Sequence, residues 1–250
     1  MPDPCLFCGI GPVTREHVIA KSLSKRLWEV SPFTPEHGAP IEPTPGATRF
    51  HTNRLIDIVV NAACSDCNSK FFNALQRPCD GFLRSALAGE QWMLDSDLKK
   101  ALASWLYKTA LLVPLAMSPR ADWPKQLIDE CKAFYVRRRP PVGTRVWIGR
   151  YDLRDNFPEL VARADVSELN YRRRGRDLAG NQILVSIGYF LGIVIVWSGE
   201  PPDDVNMANR TGDRFLEVWP VRVGHVQWPP EHTFTYEELT GLSNMVPATP

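Results

Sequence analysis

"CLFCGIGPVTREHVIAKSL", residues 5–23, decides how this chain is read. A Cys-x-x-Cys pair, Cys5 and Cys8, is followed within the same stretch by a Glu-His dyad, Glu16 and His17. A second pair, Cys64 and Cys67, arrives in "CSDC". Each pair sets two thiolates on one tight turn, and four thiolates complete a tetrahedral zinc shell with no position left for water. The expectation is a structural Zn2+ held by Cys5, Cys8, Cys64 and Cys67. It would clamp the N-terminal turn to a strand that arrives much later, and such ligation contributes on the order of 10 kcal/mol to folding.

Working outward, "TREHVIAKSLSKRLWEV" becomes amphipathic and helical after Ile19. Residues 31–52, "SPFTPEHGAPIEPTPGATRFHT", hold five prolines and two glycines, which forbids continuous helix and predicts a long loop. "RLIDIVVNAAC" is rich in β-branched residues and reads as a strand running into the second cysteine pair. "NSKFFNALQ" then has helical apolar spacing, with Asn68 placed as a cap. The segment 94–117 predicts the strongest helix, ending near Pro114, and "WPKQLIDECKAFYVRRR" predicts another with proline in its first turn. Beyond Arg139, β-branched and aromatic runs broken by Gly and Pro predict short strands in "GTRVWIGRYDL", "QILVSIGYFLGIVIVWS" and "DRFLEVWPVRVGHVQWP". The fold class expected is α+β. A zinc-stabilised core spans residues 1–90, and helices with a small antiparallel sheet fill 91–250.

The 250 residues, 44% apolar and 23% charged, match a folded globular protein and exclude a disordered chain. The longest apolar run, 183–197, is too short for a membrane span of about 20 residues and carries two glycines, so it reads as two buried strands. "MPDPCLFCG" shows no basic region followed by an apolar core, so a cytoplasmic location is expected, where cysteines serve metals more than disulfides. A net charge of +1 exerts no global pull on nucleic acid, so such a partner would be met by local patches.

Taken singly, His17 reads as a capping or packed histidine, Glu16 as a solvated charge and Asn68 as a helix cap. Taken together, "CLFCG" (5–9), "REHVIAKSL" (15–23) and "VVNAACSDCNSKFFNALQ" (59–76) resemble a known family. It is the HNH endonucleases of the ββα-metal fold, in particular the subgroup marked by CxxCG, then EHV, then CxxCN. The resemblance implies a ββα-metal core and hydrolysis of phosphodiester bonds. It also implies His17 as general base on water, and a catalytic Mg2+ or Mn2+ held by Glu16 and Asn68. The chemistry is coherent, because imidazole titrates near neutral pH and a hard cation offsets charge developing on phosphate oxygens. Asn68 follows the zinc ligand Cys67, so the structural site would fix its neighbour's position. The chain departs from the family in three places. The middle asparagine lacks a clear counterpart, Asn61 lying close to Cys64 and Asn53 much farther away. Asn68 stands where many members carry His, and Gln76 where related sequences often carry Glu. The alternative is a catalytically inactive zinc-stabilised module that binds nucleic acid or protein.

Nucleic acid is the expected partner, DNA ahead of RNA. Arg15, Lys21, Lys25 and Lys70, with Arg26 close by, are the candidate phosphate contacts, Lys21 and Lys25 sharing one helix face. The arginine triplets 137–139 and 172–174 read either as further phosphate contacts or as solvated loop charges. Asn73 and His51 are secondary candidates for the cleft. Trp147, Trp197, Trp219 and Trp228 read as packing residues, and Cys79 and Cys131 as buried structural thiols.

Overall fold

The computed structural model describes residues 3–30, 50–52, 58–152, 162–173, 176–197, 213–235 and 238. It is an α+β protein. After the first cysteine turn, β1 (Val13–His17) leads through a bend at Val18 and Ile19 into α1 (Lys21–Val30). β2 (Phe50–Thr52) follows, then β3 (Val59–Cys64), which pairs antiparallel with β1. From Cys67 the chain is helical without interruption to Leu87: a π turn (Cys67–Phe72), α2 (Asn73–Gln76), a 3-10 turn (Arg77–Cys79) and α3 (Asp80–Leu87).

β4 (Trp92–Leu94) precedes the long α4 (Ser96–Met117), and α5 (Lys125–Arg137) lies beyond a short 3-10 turn. The rest is β: β5 (Arg145–Arg150), β6 (Ala162–Arg173), β7 (Arg176–Ile187), β8 (Phe190–Trp197), β9 (Phe215–Trp219) and β10 (Val226–Trp228). Five antiparallel pairings give a six-stranded sheet ordered β2-β6-β7-β8-β5-β9. β10 pairs with β4 instead, burying Trp228 against Phe82.

α4 is the axis of the molecule. Asp95 caps it by accepting from the Leu98 amide at 2.8 Å, and from Leu102 to Val113 every residue is buried. One apolar cluster therefore runs unbroken from Phe7 through Leu106 to Val194. On β8, side chains alternate: Phe190 and Val194 join this cluster, while Leu191 and Ile193 join a second one with Trp147, Tyr151 and Phe234. Gly192 lets the helix approach, because a Cβ there would lie 2.6 Å from a Leu106 methyl.

The expected elements are present, with four corrections. Phe50–Thr52, expected as loop, is a strand on β6, a long-range pairing that local composition does not signal. The remainder of that expected loop, 31–49, lies outside the described residues. α4 continues past Pro114 to Met117, where Leu115 is buried and its carbonyl accepts from the Trp123 indole at 2.9 Å. Asn68 is not a cap, since the helical backbone already begins at Ser65. The last expected run splits: β9 joins the C-terminal sheet, whereas β10 pairs with β4. The apolar run 183–197 forms β7 and β8 around a turn at Gly188, and no described helix is long and apolar enough to cross a membrane.

Candidate functional site

The register of the short sheet creates the site. Val13 lies opposite Cys64 and His17 opposite Val59, so the first cysteine turn meets the second at one end and the Glu-His dyad sits at the other. Gly9 and Gly11 adopt φ of 74° and 73°, a left-handed backbone that turns the chain tightly after Cys8. The Ile10 amide donates to Cys8 Sγ at 3.4 Å, and Leu6 donates to the Ala62 carbonyl at 2.9 Å, seating the turn on β3.

All four sulfurs of Cys5, Cys8, Cys64 and Cys67 lie within 4.8 Å of one another, with Cys8 and Cys64 3.6 Å apart. Tetrahedral zinc, with bonds of about 2.3 Å, sets its sulfurs about 3.8 Å apart, so donor chemistry and spacing both fit. Burial and the neighbouring cysteines push the Cys67 thiol up. A cation among the sulfurs reverses that pressure and lets them act together as thiolates. The four cysteines are thus close enough to hold a metal ion.

A cavity of about 760 Å³ opens at the other end of β1. One wall carries Arg15, Glu16, His17 and Lys21; the other carries Asn68, Phe72, Asn73 and Gln76; Lys108 of α4 is among the remaining lining residues. Two local features bring these groups together. The register shifts between Thr14 and Glu16, where two steps along β1 span three along β3, and the chain bends directly after His17. Glu16 and His17, neighbours that would face opposite sides of a regular strand, both line the cleft. Across from them, Asn68, Phe72 and Gln76 recur every four residues and share a face of the helical run, the first two within the π turn. Such turns occur often at functional sites.

Glu16 is 7% exposed. Burial pushes its carboxyl up, opposed by the Lys108 charge and a hydrogen bond from the Asn68 side chain. His17 and Asn68 are half-buried. Gln76 Nε2 donates to Asp80 Oδ1 at 3.1 Å and reaches Ser22 Oγ at 3.4 Å across the cleft. Asn73 lines the cavity too, its amide donating to the Ser69 carbonyl at 2.7 Å. A buried carboxylate and an amide oxygen beside a half-open imidazole are groups that could hold a hard divalent ion next to a proton acceptor.

The basic candidates divide. Arg15 and Lys21 are exposed on the cavity rim, whereas Lys25 lies a turn farther along α1, exposed but off the lining. Lys70 borders an adjoining groove shared with Asn73 and Gln76, and pairs with Asp66 at 2.9 Å. Of the arginine triplets, Arg137 is bound to Glu130, Arg138 lies 5.9 Å from the Phe71 ring centre, and Arg172 and Arg173 end β6. Asn61 is exposed on β3, its carbonyl accepting from Arg120 at 3.0 Å, and Asn53 and Arg174 lie outside the described residues. His51 sits on β2 opposite Asp165, in the six-stranded sheet. Trp147, Trp197 and Trp228 are buried, as are Cys79 and Cys131.

Lys108 is the residue that sequence reasoning missed. Its signal was a cation inside "SWLYKTALLVPL", a helix apolar on all sides, where a charge has to be paired or neutralised. Burial pulls its ammonium down to about 8, opposed chiefly by the Glu16 carboxylate. No family model, curated protein or solved structure matches this chain.

Proposed function

We propose that the cleft is the hydrolytic centre of a metal-dependent, HNH-type endonuclease, built on a ββα-metal core and stiffened by zinc on the four cysteines. The observation that carries the reading is the lining of one cavity by Glu16, His17 and Asn68, the last directly following Cys67 of the cysteine cluster. Glu16 and Asn68 would hold Mg2+ or Mn2+, which supplies positive charge at the scissile phosphate. His17 takes the proton from the attacking water. Arg15 and Lys21 on the rim receive flanking phosphates, with Lys70 in the adjoining groove and Lys25 a turn farther along α1, and DNA is the expected substrate. A reducing, cytoplasmic setting would keep the four sulfurs available for the metal.

Plasmid nicking tests this. The wild type is expected to nick with Mg2+ or Mn2+, and His17→Ala to lose about 100-fold or more in rate with zinc content unchanged. Equal cutting by the variant contradicts the reading. Binding of nucleic acid without turnover under either ion selects the inactive binding module.

A further inference from the structure

α4 carries two almost fully buried lysines, Lys99 and Lys108, each 2% exposed. A buried ammonium is costly unless something compensates it, whereas methionine would fill a similar volume with no such penalty. Each charge must therefore be explained by what it touches. Lys99 Nζ donates to the Gly224 carbonyl at 2.8 Å and to Arg222 at 3.4 Å, supporting the turn after β9. Lys108 Nζ donates to the Val18 carbonyl at 2.9 Å and lies 5.4 Å from the centre of the Phe72 ring.

Val18 is fully buried and directly follows His17, and its own amide donates to Ile58 at 3.0 Å. The backbone is thus clamped from two sides where β1 ends. Phe72 lies four residues beyond Asn68 on the opposite wall. A single ammonium touches the strand end on one wall and the helical run on the other.

We propose that Lys108 is a positioning residue: from α4 it ties the strand end bearing Glu16 and His17 to the helical wall bearing Asn68, fixing the separation of the three groups. This rests on the proposed hydrolytic role of the cleft. Lys108 lines the cavity as well, and its tie to the two walls runs through the Val18 carbonyl and the Phe72 ring.

The test compares the full-length wild type, Lys108→Met and Lys99→Met by zinc content, segment-resolved hydrogen exchange and Mn2+-supported plasmid nicking. Lys108→Met is expected to keep its zinc and to speed amide exchange across residues 16–20 about tenfold, leaving 222–224 unchanged. Lys99→Met is expected to do the reverse. Nicking by Lys108→Met falls about 100-fold in kcat with KM within about twofold, while Lys99→Met keeps the wild-type kcat. Where Lys108→Met does not fold, Lys108→Leu, which likewise has neither donor nor charge, serves the same comparison. Unchanged exchange at 16–20, exchange raised evenly along the chain, or wild-type kcat overturns the inference. A wild type that cuts nothing overturns the proposed function instead, and the exchange pattern still decides whether Lys108 fixes the strand end.

Discussion

The cleft half and the sheet half of this molecule are held together by different physics. Around the cleft, two strands of five and six residues and a helical run meet over a cluster of four sulfurs. Two strands make a marginal sheet in water, so this half leans on its seat against α4 and, in the proposed reading, on the zinc that the four sulfurs would hold. The six-stranded sheet is packed on both faces, by the α4 cluster on one and by the Trp147, Tyr151 and Phe234 cluster on the other. The difference teaches where precision comes from. In the cleft half a few bonds fix a few side chains, and in the sheet half many weak contacts fix a fold.

The largest expected effect tests the cluster. Chelation of zinc, or Cys64→Ser, removes on the order of 10 kcal/mol from the cleft half. Hydrogen exchange should rise over residues 5–18 and 59–72 while β7 and β8 stay protected. Uniform loss across the chain would mean that the two halves are one cooperative unit.

A smaller effect tests the other half. Phe190 is fully buried between Phe82 and Trp105, and Phe190→Ala should cost about 3–5 kcal/mol by denaturant unfolding, with one zinc per chain retained. Loss of zinc along with stability would break the contrast.

The smallest is electrostatic. Burial pushes the Glu217 carboxyl up, opposed by Arg222 and Arg145. The native state then holds this proton more tightly than the unfolded chain does. Stability falls as pH rises from the ordinary carboxylate value through the raised one. Glu217→Gln should flatten that slope and leave the protein slightly more stable at neutral pH, by less than about 1 kcal/mol. A steeper slope in the variant would reverse the sign of this assignment.

Sequence legibility follows the same division. The cysteine pairs were readable because each knuckle is local, and four thiols at that spacing have few other uses. Glu16, His17 and Asn68 stood out as a set only through the family resemblance of the stretches that carry them; singly, each reads as an ordinary charge, packed histidine or cap. Lys108 could not be placed, because nothing local says that α4 passes under a cleft made some 90 positions earlier. The π turn left no compositional trace, and a cap was the natural reading of Asn68 until the helix was seen to start at Ser65. In β6, Ala162, Ala164 and Val166 alternate with Arg163, Asp165 and Ser167, a period-two pattern masked by residues of low strand propensity. Long-range packing supplied what local propensity lacked.

The central claim is that Glu16 and Asn68 hold a divalent ion beside His17, next to a zinc held by sulfur. A crystal structure of the protein grown with Mn2+, with anomalous maps at the zinc and manganese edges, tests it directly. The account predicts zinc among Cys5, Cys8, Cys64 and Cys67 and manganese between the Glu16 carboxylate and the Asn68 amide oxygen. A zinc peak with no manganese in the cleft, or manganese bound elsewhere, would contradict it.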